Sequence, residues 1–231
     1  MLDAIIFDKD GTLFDFRLSW GAFTHSLLAE LTGDADQARR LGRVLGYDPE
    51  TGAFTRSSPV ISMTTPEIAA ILYPHLVGIS LTALNARMNA LSAAAPMVPA
   101  VPLRPVLSGL KARGLILGLA TNDTEMPAKV HLKGAGVLDL FDYVVGCDSG
   151  FGGKPAPGQL NEFLRRFGLT PSRVAMVGDS LHDLHAGHGA GMRVIAVLTG
   201  VATTADLAAN ADVVLTDIAE IGPWIDAQAT I

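Results

Sequence analysis

Residues 4–13 read Ala-Ile-Ile-Phe-Asp-Lys-Asp-Gly-Thr-Leu, and no other stretch narrows the fold as much. A short apolar run of this kind is a buried strand. It delivers two carboxylates, Asp8 and Asp10, followed at once by Gly11. Strand residues two apart face the same way. Both acids are therefore expected to point into one crevice at the strand's carboxyl end, where open parallel α/β sheets hold ligands. Two like charges that close need a cation or a shared proton. The pair asks for a divalent metal, and aspartate with Mg²⁺ points to phosphoryl chemistry. Taken alone, the same letters also describe turn acids after an edge strand, because Asp-Gly is a common turn dipeptide. Lys9, between the acids, is expected to point away from the crevice and to pack or face solvent.

Five further apolar runs recur in the second half: 115–121, 143–147, 174–179, 193–198 and 212–216. Helical patterns over 105–113, 124–135, 156–167 and 182–190 separate them. Near-continuous apolar strands alternating with helices predict a parallel sheet covered on both faces. Residues 15–96 differ, with no strand-like run and with helices expected over 20–31, 35–45, 66–76 and 81–94. Thr65-Pro66-Glu67 reads as an N-cap with proline at the first helical position. Residues 48–64 read as a long polar loop, and Pro96, Pro99 and Pro102 as a return hinge. The expected fold class is α/β, a Rossmann-like three-layer parallel-sheet core over 1–14 and 97–231 with an inserted all-α cap over 15–96.

Composition excludes several classes. The 231 residues are 49% hydrophobic and 17% charged, with a net charge of −6, which supports a packed core and argues against nucleic-acid binding. No apolar run approaches a membrane span. The N-terminus carries acids where a secretory signal would be basic and then apolar. The single cysteine, Cys147, allows no internal disulfide, and it is expected to be a small buried residue of a strand. These features suit a cytoplasmic protein with no nucleic-acid or membrane partner. No heptad seam of useful length appears, so monomer and homodimer both stand.

Four sets of polar residues fall at the ends of expected strands. They are Asp8 and Asp10, then Thr121 and Asn122, then Lys154 in Gly-Gly-Lys-Pro, then Gly178-Asp179-Ser180 with Asp183 four positions beyond Asp179. In this order on this architecture, all converge on one edge of the sheet. The set Asp8-x-Asp10-Gly11-Thr12, Thr121-Asn122, Lys154-Pro155 and Gly178-Asp179-Ser180-x-x-Asp183 resembles the haloacid dehalogenase superfamily. The similarity covers the whole chain and is greatest to phosphoglycolate-phosphatase-like hydrolases with a helical cap after the first strand.

The resemblance implies a Mg²⁺-dependent phosphatase acting on a small phosphorylated metabolite, with 2-phosphoglycolate as the leading substrate. Asp8 would attack phosphorus and form an aspartyl-phosphate. Asp10 would protonate the leaving alcohol and then deprotonate water. Asp8, Asp10 through its backbone carbonyl, and Asp179 would hold Mg²⁺, while Asp183 would orient a metal-bound water or Lys154. Thr121 and Lys154 would hold phosphoryl oxygens, with Gly11, Thr12 and Asn122 assisting.

Within that superfamily Asp10 argues against dehalogenation, because a halide leaves without a proton. Residues 15–96 contain no lysine, which closes a cap Schiff base. A hexose-phosphate mutase and a non-catalytic phosphate sensor are the alternatives, and the acid–base Asp10 weighs against the sensor. The cap cations are all arginines, of which Arg17 and Arg56 are candidates for a substrate carboxylate. His182, His185 and His188 lie three apart on one helix and read as a solvated face beside the site.

Overall fold

The computed structural model describes residues 2–228. In chain order its strands are β1 (Ala4–Phe7), β2 (Tyr47–Asp48), β3 (Ala53–Phe54), β4 (Ile116–Ala120), β5 (Tyr143–Val145), β6 (Val174–Gly178), β7 (Arg193–Val197) and β8 (Val213–Leu215). The helices are α1 (Phe16–Leu31), α2 (Ala35–Val44), α3 (Thr65–Leu72), α4 (Leu81–Ala94), α5 (Leu103–Ala112), α6 (Glu125–Gly134), α7 (Gly158–Phe167), α8 (Leu181–Gly189), α9 (Thr204–Leu207) and α10 (Ile221–Gln228).

Six strands form one parallel sheet in the order β5-β4-β1-β6-β7-β8. The central strand β1 pairs Ala4 with both Ile116 and Val174, and Phe7 with both Leu119 and Val177. Every residue of β1 and β6 is buried, as expected where helices cover both faces. Alternation divides the strand residues between the faces. Ile5, Phe7, Leu117 and Val177 pack with Leu107 and Leu110 of α5 and Leu132 of α6. Ala4, Ile6 and Met176 pack with Leu160 and Phe163 of α7 and Ala186 of α8. Gly118 leaves room for Phe163, since a Cβ there would press on its ring at 2.9 Å. The result is an α/β Rossmann-like three-layer core. Strand order reverses at β1, so the crevice at its carboxyl end is the place where such sheets take ligands.

A separate hydrophobic cluster is built from α1–α4 and the segment joining α2 to α3, with Trp20, Leu28, Leu41, Tyr47, Leu72, Leu84 and Met88 at its centre. This inserted cap is not all-helical. Within the stretch read as a polar loop, β2 and β3 form a two-stranded hairpin pairing Tyr47 with Phe54. The Phe54 ring lies 4.9 Å from Tyr47 and 5.3 Å from Phe16. Two-residue strands are too short to register as alternation, and the aromatic contacts that hold them are tertiary. The N-cap of α3 is Thr64 rather than Thr65, because Glu67 accepts from both the Thr64 amide (2.8 Å) and hydroxyl (2.7 Å). Thr65 is buried and turns its hydroxyl to Asp123 instead.

The two chain segments joining cap and core run side by side. The Asp15 amide donates to the Val98 carbonyl at 2.8 Å, and Ala100 donates to Leu13 at 2.9 Å. The Ser19 hydroxyl accepts from the Val98 amide at 3.0 Å. No described helix is long and apolar enough to cross a membrane.

The cap cluster supplies its own apolar burial, so Leu84→Ala is expected to destabilise the protein by about 2–5 kcal/mol, checked by urea unfolding.

Candidate active site

The loop after β1 is shaped by its backbone. Asp8 continues the sheet, donating its amide to the Val177 carbonyl at 2.8 Å. Leu13 and Phe14 then fold back to donate to the Lys9 carbonyl, and Gly11 donates to Phe14. The turn is possible because Gly11 has φ +86°, where a side chain is strained. A Cβ at Gly11 would also collide with the Asp179 carboxylate, and one at Gly200, in the loop after β7, would do the same. Asp179 is thus cradled between two glycine backbones.

Four sheet strands contribute to one cleft. Asp8 follows β1, Thr121 and Asn122 follow β4, Lys154 lies in the long loop after β5, and Asp179 follows β6, with Asp183 in the first turn of α8. Carboxylate oxygens of Asp8, Asp179 and Asp183 lie within 4.8 Å of one another. The Lys154 ammonium sits against this group, donating to Asp8 Oδ1 at 2.5 Å and to Asp183 Oδ1 at 2.6 Å. The other Asp183 oxygen accepts from the Ser180 amide (3.1 Å) and hydroxyl (2.7 Å), a capping box that fixes the carboxylate.

Burial and mutual repulsion set the charge state here. Burial, with Asp183 and Asp10 adding to it, pushes Asp8 up to about 7 even though Lys154 opposes the shift. Burial and the carboxylates of Asp183 and Asp8 raise Asp179 well above the usual range. Burial also disfavours the Lys154 charge, but Asp183 and Asp8 outweigh it and hold that ammonium firmly protonated. A carboxylate cluster that resists ionisation by itself, in a cradle with no room for a Cβ, fits a divalent cation coordinated through oxygen.

Asn122 fastens the Lys154 loop. Its amide oxygen accepts from the Lys154 amide (2.8 Å), and its nitrogen donates to the carbonyls of Lys154 (2.9 Å) and Ser62 in the cap (2.6 Å). Thr121 is buried on the cleft wall, with its hydroxyl accepting from the Asp123 amide at 3.1 Å.

Asp10 lines the same cleft but its carboxylate stands apart from the three-acid cluster. Its Oδ2 pairs with Lys9 Nζ at 3.0 Å, and its Oδ1 is buried without a protein partner. Lys9 is fully buried and does not line the cleft, in line with the expectation from alternation; what alternation does not give is its set of partners. Besides Asp10, its ammonium reaches Asp123 Oδ2 at 3.0 Å and His131 Nδ1 at 3.1 Å, and it lies 5.5 Å from the Trp20 ring centre. His131 Nε2 faces the Ser92 carbonyl at 2.7 Å, which can only accept. Nε2 therefore carries the proton, Nδ1 accepts from Lys9, and the imidazole is neutral. Burial and the Lys9 charge, which lower its pKa, agree. Asp123, His131 and Ser92 were not singled out by sequence, and Lys9 was given no partners. Asp123 could have been, since it directly follows Thr121-Asn122; the others are assembled from distant segments.

Several expected residues lie elsewhere. Gly11 shapes the loop and Thr12 is buried with an unpartnered hydroxyl, and neither lines the cleft. Arg17 and Arg56 are exposed and off the cleft, and Arg56 faces Asp206 across 3.7 Å. His182 lines the cleft, whereas His185 and His188 are exposed and His188 approaches the Asn210 carbonyl. Cys147 lies just past β5 and is half-buried, with its thiol pushed up to about 12 by burial, far from nucleophilic.

This fold and cleft match a known group. A family model described as haloacid dehalogenase-like hydrolase matches residues 2–191, and the chain belongs to that family. The chain is 35% identical to a phosphoglycolate phosphatase of Rhodospirillum rubrum over 52% of its own length, a stretch spanning half of that relative. It is 30% identical to the probable phosphatase IndB of Dickeya dadantii over 94% of this chain and 90% of that one. The structure of CbbY from Rhodobacter sphaeroides in complex with phosphate superposes with a TM-score of 0.71 over 96% of this chain and 97% of that one, at 24% identity.

Lys9→Met would leave the buried Asp10 and Asp123 uncompensated and is expected to destabilise the protein by about 3–5 kcal/mol, read from denaturant midpoints.

Proposed function

We propose that the protein is a Mg²⁺-dependent phosphatase that hydrolyses a small phosphate monoester through an aspartyl-phosphate on Asp8. The observation that carries this reading is the convergence of Asp8, Asp179 and Asp183 around Lys154 while Asp10 is held separately with one oxygen free. That arrangement divides a nucleophile from an acid–base group. Asp8, Asp179 and the Asp10 backbone would hold the cation, which would neutralise charge on the phosphoryl group.

Asp8 attacks phosphorus as the ester P–O bond breaks, and Asp10 gives its proton to the departing oxygen. In the second step Asp10 takes a proton from water, whose oxygen attacks phosphorus and releases phosphate from Asp8. Lys154 supplies positive charge beside the phosphoryl oxygens, and Thr121 supplies a hydroxyl. Asp183 positions Lys154 through their 2.6 Å contact. Lys9 fixes one Asp10 oxygen and leaves the other for the leaving group. Residues 15–96 form the cap over this cleft, and the paired connecting segments are its hinge. The names of relatives support 2-phosphoglycolate as the first ester to test. The cap adds nothing to that support, because Arg17 and Arg56 do not reach the cleft.

The test is phosphate release from a panel of esters with and without Mg²⁺. Asp8→Ala is expected to abolish release. Asp10→Asn is expected to lower turnover by about 10²–10⁴-fold while retaining Mg²⁺ binding by calorimetry. Release that survives in Asp8→Ala would refute the aspartyl-phosphate.

A pH dependence follows from Asp8. Its folded pKa, about 7, lies above its ordinary 3.8. The metal-free folded state therefore keeps a proton that the unfolded state gives up in that window, and stability drains away as pH rises through it. Mg²⁺ takes the ionised form. Its stabilising effect should be small near pH 4 and grow towards pH 7 and above, measured as the Mg²⁺-induced change in Tm.

A further inference from the structure

The cap side of the cleft is formed by Phe16, Trp20, Val60, Ile61, Met63 and Ile68, none of them charged. The cap's polar groups at the cleft are engaged with the core: the Ser62 carbonyl accepts from Asn122, and the Thr65 hydroxyl turns to Asp123. Trp20 itself is buried, and its unpartnered indole N–H is closed off from solvent, so the face it gives the cleft is its apolar ring.

The cap's six arginines do not line the cleft. Arg39 pairs with Asp36 and Glu50 and Arg87 with Glu30 on the exterior, while Arg56 faces Asp206 in a cavity that adjoins the cleft beyond Ile61, Met63 and His182. On the core side the cationic side chain lining the cleft is Lys154, already shared by Asp8 and Asp183. Lys9, behind the wall, has its three donors directed to Asp10, Asp123 and His131. His182 faces the cleft as a half-buried imidazole among carboxylates and Lys154. Five aspartates line the cleft, and with Asp10 protonated for the first step the other four use up the charge of the two lysines and one divalent cation. The phosphoryl group adds further negative charge. A second anionic group held against the Phe16, Trp20 and Ile68 wall would meet no counter-charge there, which is unfavourable.

Resting on the phosphatase reading, we infer that the substrate's leaving group is an uncharged, largely apolar alcohol or phenol. Its apolar body covers Phe16, Trp20 and Ile68 on the cap wall. A carboxylate-bearing leaving group such as glycolate and a second phosphate are both disfavoured.

The test uses a nearly isosteric pair, 4-acetylbenzyl phosphate and 4-carboxybenzyl phosphate, whose methylene insulates the ester oxygen from the ring substituent. With Mg²⁺, kcat/KM for the acetyl ester should exceed that for the carboxyl ester by about tenfold or more. Met63→Arg places a guanidinium on the wall at a residue that is 42% exposed, so folding tolerates it, and should narrow or reverse the preference. Equal rates, or preference for the carboxyl ester by the wild-type protein, would overturn this inference and leave the phosphatase reading standing. Hydrolysis of p-nitrophenyl phosphate with neither benzyl ester accepted would also overturn it. Release from none of the three would overturn both.

Discussion

Everything at the cleft depends on placing buried carboxylates beside two lysines. Asp8, Asp123, Asp179 and Asp183 are each no more than 7% exposed, and Asp10 stands at the same wall. Moving such charges out of water is costly unless each finds a partner. Lys154 bridges Asp8 and Asp183, and Lys9 bridges Asp10 and Asp123. The pairing is incomplete around Asp8 and Asp179, whose raised pKa values record the deficit. That deficit is why the cluster fits a divalent cation better than a settled ion-pair network.

The same charges join cap to core. Asp123, anchored by Lys9, accepts from Ser92 of α4 and Thr65 of α3. Asn122, which holds the Lys154 loop, also bonds the cap at Ser62. The cap is thus seated through groups that touch the acids or their immediate neighbours. Movement of the cap on its paired connecting strands would alter contacts to Asp123, and through Lys9 to Asp10.

The core and the cap answer different questions. In the proposed reading the core supplies a nucleophile, an acid–base group and a cation site, which suits phosphoryl transfer by positioning and charge neutralisation. The cap wall would then act on what is attached to the phosphate. Membership of the hydrolase family leaves that second question open, since one scaffold hosts many substrates.

The parallel core and the convergence of Asp8, Thr121, Lys154 and Asp179 on one cleft were legible in the sequence because both follow from local patterns. Apolar runs such as 174–178 can only be buried strands, and Asp8, Thr121, Lys154 and Asp179 each sit next to the end of one or in the loop beyond it. Chain connectivity then forces them together. What tertiary structure decided was less local. Lys9 packs behind the cleft wall, but its partners Asp123 and His131 are more than a hundred residues away. The hairpin at Tyr47 and Phe54 exists through ring contacts with each other and with Phe16. The cap arginines were visible as letters, but only packing revealed that acids face Arg39, Arg56 and Arg87. A side chain's direction is set by what surrounds it, and that information is not carried by spacing.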